Sequence, residues 1–133
     1  LWLKIEIARV ESIDHQWTQV HRRYTKNQES QMIIVIFEFE PKELAQSRYF
    51  ELAQLLLEEV EKIDGFISVE RFQSVANSGR FVSISTWRDR QAVDDWRHHL
   101  MHQTAQEEGK ASIFDDYRIR VAEVFKDYGL SDN

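Results

Sequence analysis

The sequence predicts an α+β fold, a ferredoxin-like subunit of order β-α-β-β-α-β with an antiparallel sheet. Three observations predict it. Residues 32–39 are apolar on both faces of a strand, as a central strand covered on both sides requires. Two segments with apolar positions at helical spacing are each closed by a glycine, Gly65 and Gly109. Between them lie two strand-like runs joined only by the turn Asn77-Ser78-Gly79, which reads as a hairpin with a longer loop.

Each element follows from local chemistry. Met32-Ile33-Ile34-Val35-Ile36-Phe37 opens the first strand. Pro41 suits the first turn of a helix, where its missing N–H is no loss, and Leu44, Leu52, Leu55, Leu56 and Ile63 give that helix an apolar stripe. Residues 66–75 read as the second strand and 81–87 as the third. Asp89 is the expected N-cap of a second helix running to about Glu108. A fourth strand is expected over 117–125. Along the first strand Ile34 and Ile36 point away from Val35, Phe37 and Phe39, so neither sheet face reads as solvated. Two helices cover one face only. Pairing the other face with a second copy is the simplest solution, and a homodimer through the sheet face is expected.

The chain has 133 residues, a net charge of −6 and no cysteine. That length fits one domain. Disulfides, thiolate metal sites and cysteine nucleophiles are thereby excluded. The acidic balance argues against a nucleic-acid partner, and no apolar run approaches the roughly 18 residues needed to cross a membrane. A cytoplasmic location is expected. Residues 1–31 hold five basic and four acidic side chains, a net +1 against −7 for the remainder. The chain starts at Leu1, so 1–31 reads as an extension, an upstream start or a fragment of something longer. Within it Leu3, Ile5 and Ile7 alternate like a strand, and Ile13, Trp17, Val20 and Tyr24 recur at helical spacing. The expected domain spans 32–128, with 129–133 as a tail.

Several separated motifs resemble the antibiotic biosynthesis monooxygenase family. They are Gly65-Phe66-Ile67-Ser68-Val69-Glu70-Arg71-Phe72-Gln73-Ser74, then Ser83-Ile84-Ser85-Thr86-Trp87-Arg88-Asp89. Ala92-Val93-Asp94-Asp95-Trp96-Arg97 leading to residues 102–109, and Phe114-Asp115-Asp116-Tyr117-Arg118-Ile119, complete the set. The resemblance implies ferredoxin-like subunits dimerising into an α+β barrel. It also implies a choice among cofactor-independent oxygenation of aromatics or quinols, haem degradation, and members that act as ligand-binding or stress-related modules without chemistry. Haem-degrading members pair a first-strand Asn with a Trp and a proximal His on the second helix. Trp96 matches the Trp, but the His position falls on Gln106 and the Asn position on Phe37. Iron would lack its usual axial ligand.

Trp96, His99, Gln103 and Gln106 step by three or four residues and share one helix face. Turned toward the sheet, that face would line a pocket with an indole, an imidazole and two amides, a setting suited to an aromatic substrate. Phe37, Ser85 and Trp87 are the expected pocket residues on the sheet. An imidazole can accept a proton near neutral pH, so His99 or His102 is a candidate base for a phenol or quinol. The resemblance then implies that the resulting anion passes an electron to O₂ with no added cofactor. The bland reading makes Trp96 core and the polar residues helix surface. Asp94, His98 and His102 form an i, i+4, i+8 stripe, but the spacing lacks the further ligand and general base of a zinc motif, so no metal is expected. Glu38, Glu70, Arg71, Arg118 and Arg120 fall in strands, where an ion-pair network is the default reading.

Overall fold

In the computed structural model, the described residues are 31–104 and 114–132, with side chains placed for all of these except 101–104. The expected strand and helix within residues 1–30 lie outside them. Six main elements follow in order: β1 (Ile33–Pro41), α1 (Gln46–Val60), β2 (Phe66–Gln73), β3 (Phe81–Trp87), α2 (Arg90–Thr104) and β4 (Phe114–Glu123). The strands form one sheet in the order β2-β3-β1-β4, antiparallel throughout. This is the β-α-β-β-α-β architecture that the hydrophobic patterning predicts.

The centre of the sheet is β1, paired with β3 on one side and β4 on the other. Its burial alternates strictly: Ile33, Val35, Phe37 and Phe39 are each no more than 1% exposed, while Ile34 and Ile36 on the opposite face are half-buried. The first set meets the helices. From β3, Phe81, Ser83, Ser85 and Trp87 point the same way and are buried. Helix α2 presents Ala92, Val93, Trp96 and Leu100, a stripe at helical spacing that is also buried. At one end of this core Phe37, Phe39, Tyr49, Phe81 and Phe114 pack ring against ring, with Phe37 and Phe39 stacked at 4.7 Å.

The structure redraws some boundaries. Pro41 does not open α1; it is the last residue of β1, buried, at a register irregularity where it faces Phe114. Proline is tolerated at such a position because the ladder is already interrupted. A short 3-10 turn, Glu43–Ala45, then leads into the helix, and Leu44 within it is fully exposed rather than part of the stripe. Leu55 is exposed as well. β4 begins at Phe114, three residues earlier than the pattern suggests, because Phe114 belongs to the aromatic core. Asp89 caps α2 as expected: its Oδ1 accepts a 2.9 Å hydrogen bond from the Ala92 N–H. The end expected at Gly109 lies outside the described residues.

Gly65 occupies a left-handed conformation, φ +94°, in the turn entering β2. A Cβ there would lie 2.6 Å from the Ala92 Cβ, so the residue is demanded by the backbone and by the close approach of α2. Its carbonyl accepts a 2.7 Å bond from the Arg88 N–H. That contact fastens the start of β2 to the end of β3. The sheet face turned away from the helices carries Ile34, Ile36, Val82, Ile84 and Ala122 by register. At one end of that face Arg80 bridges Glu38 and Glu40, and Arg120 reaches Glu38 as well.

Candidate functional site

Between α1, α2 and the β2–β3 hairpin lies a cavity of ≈ 130 Å³, open at one side. Its apolar wall comes from Ala53, Leu56, Leu57 and Val60 of α1 with Phe66 and Val69 of β2. The indoles of Trp87 and Trp96 close the end where α1 finishes and β2 begins. Ser83 and Ser85 form the floor, and Tyr49 and Arg71 stand at the opposite end.

The floor is a consequence of residue size. On β3 the inward positions run Phe81, Ser83, Ser85, Trp87, so two small side chains sit between two large ones and leave the void. Ser85 is not idle polarity: its Oγ accepts a 2.9 Å hydrogen bond from Trp87 Nε1, which satisfies a buried indole N–H and fixes the ring. The Phe66 ring meets Trp87 edge-on at 5.3 Å. The indole end is therefore rigid.

The other end is polar. Tyr49 is 3% exposed, and burial pushes its hydroxyl up to about 12, partly countered by the charge and hydrogen bonding of the Arg71 guanidinium beside it. Tyr49 thus remains a protonated donor at any ordinary pH. Arg71 sits directly across the ladder from Ser83, and its guanidinium lies over the Phe50 ring, 5.4 Å from the centroid.

The residues expected at the site divide. Trp96, Ser85 and Trp87 line the cavity together. Phe37 does not; it packs in the aromatic core against Phe39 and Phe114, because its strand is two positions from the hairpin edge where the cavity lies. His99 is not among the lining residues either. Its ring stacks on that of Trp96, 5.7 Å between centroids, and its Nε2 lies 3.2 Å from Glu59 Oε2 on α1. The side chains of His102 and Gln103, and all of Gln106, lie outside the described residues. Tyr49, Arg71 and Ser83 carry the polar end without having been singled out as site residues from sequence. For Arg71 the sequence holds no sufficient signal: it is one of several strand charges, and only the register sets it opposite Ser83 on the inward face. The strand ion-pair network forms without it, through Glu38, Glu40, Arg80 and Arg120.

Among the described lining residues none is an imidazole, so none of them offers a haem iron its usual axial ligand.

A helix-covered antiparallel sheet enclosing an apolar, indole-walled cavity with a few polar donors defines a ferredoxin-like domain of the α+β class. Residues 32–108 match the antibiotic biosynthesis monooxygenase family, and the chain belongs to it. Over 93 residues it is 38% identical to the jasmonate monooxygenase ABM of Pyricularia oryzae, covering 70% of this chain and 43% of that protein. The chain spans less than two thirds of the length of the curated relatives it matches. Among solved structures, SnoaB, a cofactor-independent oxygenase from Streptomyces nogalater, superposes with a TM-score of 0.57 at 13% identity, covering 73% of this chain and 96% of its own. The haem degrader MhuD from Mycobacterium tuberculosis gives 0.56 at 18% identity, covering 73% and 99%. These two likenesses establish a shared fold.

Proposed function

We propose that this protein is a cofactor-independent monooxygenase that uses O₂ to oxidise a single-ring aromatic or quinol-type molecule. One observation carries the reading: the cavity between helices and sheet, walled by Trp87 and Trp96, is apolar, rigid at the indole end and the size of one ring. Membership of a family named for monooxygenases supports it, as does the identity to a protein named as one. Loss of a proton makes a bound phenol or quinol an electron-rich anion able to reduce O₂. When a phenol or quinol is carried to the quinone or hydroxyquinone, one oxygen atom enters the ring and the other leaves as water, with the substrate supplying all four electrons. Oxidation of a quinol only to its own quinone instead reduces O₂ by two electrons to hydrogen peroxide. His99 is the proposed base. With Nε2 donating to Glu59, the other ring nitrogen is the one that takes a proton, and stacking on Trp96 sets its distance from the cavity.

The outer sheet face supports a homodimer: Ile34, Ile36, Val82 and Ile84 are half-buried in one chain and would be covered by a second copy. Among the described residues no helix is long and apolar enough to cross a membrane, in line with a cytoplasmic protein.

The test is O₂ uptake by metal-stripped protein against a panel of quinols, single-ring phenols and jasmonate, repeated with His99→Ala and His102→Ala. Uptake above the protein-free rate, lost in the His99 variant alone, is the expected result. A flat trace across the panel favours the second reading, a ligand-binding module without chemistry, for which the exclusion of His99 from the cavity lining is the specific support. Sedimentation of the same protein checks the dimer.

A further inference from the structure

The cavity has two chemically different ends, and the polar one is built like an anion site. Three donors from three elements meet there: the Tyr49 hydroxyl from α1, the Arg71 guanidinium from β2 and the Ser83 hydroxyl from β3. Arg71 and Ser83 are cross-strand partners on the same sheet face, and Arg71 lines the cavity beside Tyr49, near enough for its charge to act on the hydroxyl. The ring of Phe50 beneath the guanidinium restricts where it can go.

Arg71 shares with Arg118 the lack of an ion pair to any described carboxylate, but only Arg71 of the two lines the cavity. Arg80, Arg88, Arg90 and Arg120 are each ion-paired to a carboxylate. Among the described residues no carboxylate lies within ion-pair distance of Arg71. Its sequence neighbour Glu70 contributes to the cavity rim, but faces Ile84 across the ladder, on the opposite side of the sheet from the Arg71–Ser83 pair. An arginine beside a neutral tyrosine and a serine, at the polar end of an otherwise apolar cavity, presents a planar fork of donors with its counter-charge missing.

We infer that Tyr49, Arg71 and Ser83 form a carboxylate clamp, and that the ligand is a single-ring organic acid whose ring lies against Trp87 and Trp96. This inference rests on reading the cavity as the substrate site, and it names the class of substrate. The spacing adds a constraint. Four residue steps along β3 lead from Ser83 to Trp87, about 13 Å along an extended strand. Side chains at each end take up part of that length, so the clamp and the indoles match an acid set off from its ring by a short chain.

The experiment is calorimetric titration of the full chain, without O₂, with 3-phenylpropanoate and with its methyl ester. The two differ in charge and hardly in shape. The acid is expected to bind at least about tenfold tighter than the ester, the range of one charge-assisted pair. Arg71→Gln should remove that preference, Arg71→Lys should keep part of it, and Tyr49→Phe should reduce it about threefold. Arg71 is exposed, and an unchanged thermal midpoint for both of its variants separates lost binding from lost folding. Equal affinity for acid and ester, a preference that survives Arg71→Gln, or no binding of either at millimolar concentration overturns the clamp. Failure of the oxygenase reading looks different. Acid bound through Arg71 with no O₂ uptake leaves the clamp standing without the chemistry. Oxidation of a neutral quinol, unchanged in Arg71→Gln, leaves the chemistry standing without the clamp.

Discussion

Tyr49 makes the polar end of the cavity accessible to a stability measurement, independent of any ligand. Its hydroxyl is raised from 10.0 to about 12, chiefly because burial penalises the phenolate. Arg71 acts in the opposite sense, by charge and by hydrogen bonding, and recovers only part of the penalty. A raised folded-state value means that the native protein holds its proton more tightly than the unfolded chain. The stabilisation is fully present below pH 10 and is lost as pH climbs from there through 12. The slope approaches about 1.4 kcal/mol per pH unit inside that window. Stability attributable to this one group should therefore fall by about 1 kcal/mol between pH 9 and pH 11, and by about 2–3 kcal/mol in all.

The pH dependence of total stability sums over every ionisable group, so the useful quantity is the difference between the native protein and Tyr49→Phe. Phenylalanine keeps the ring contacts with Phe39, Phe50 and Phe114 and removes only the titrating group. Denaturant unfolding at pH 8, 9, 10 and 11 gives the difference curve. It should be flat to about pH 10 and then narrow, because the native protein loses what the variant never had. Arg71→Gln should extend the loss to higher pH and enlarge its total without steepening it, since the one favourable charge near the phenolate is gone and a single proton already sets the limiting slope. A difference curve that stays level through pH 11 would refute the argument, and with it the claim that Tyr49 is a locked donor.

Three further outcomes follow from the packing. Gly65→Ala should cost about 1–2 kcal/mol for the left-handed backbone and about 1–3 kcal/mol more for crowding Ala92; Ala92→Gly in that background should recover the second part alone, as a double-mutant cycle in denaturant would read. Phe37→Ala, at 0% exposure in the aromatic core, should destabilise by about 3–5 kcal/mol without altering ligand affinity measured on the folded fraction. Ser85→Ala strips the Trp87 indole N–H of its acceptor and should cost about 1–2 kcal/mol, with a shift in tryptophan emission that Ser83→Ala does not produce.

The fold was legible because its burial is regular. The alternation in β1 and β3 is strict enough that the inward residues could be read from period two alone. Glycine at 65 and aspartate at 89 are local demands, one for a left-handed φ and one for an N-cap, and local demands survive in a sequence. Boundaries set by tertiary contact were not legible. Pro41 looks like a helix start by propensity, yet it ends a strand because β4 pairs as far as it, through Phe114. Leu44 and Leu55 fit a stripe by spacing but stand outside it. The helix begins five residues after Pro41, which shifts the phase of the face it buries.

The site was half legible for a related reason. Trp87, Trp96 and Ser85 announce themselves as large aromatics and a small hydroxyl at inward positions, and all three line the cavity. Period alone cannot say which end of the sheet is hollow, and so Phe37, on the same face as Ser85 but nearer the sheet centre, falls in packed core. Arg71 shows the deeper limit. From sequence it is one of several strand charges whose default is a mutual network, and the register decides otherwise. Glu38 and Glu40 meet Arg80 at the far face, where Arg120 also pairs with Glu38, whereas Arg71 opposes Ser83 on the near one and lines the cavity beside Tyr49. One residue of register would exchange the two faces and put Arg71 in the network. The polar character of the cavity is thus a property of strand pairing, and the calorimetric comparison of an acid with its ester measures that pairing as directly as it measures the ligand.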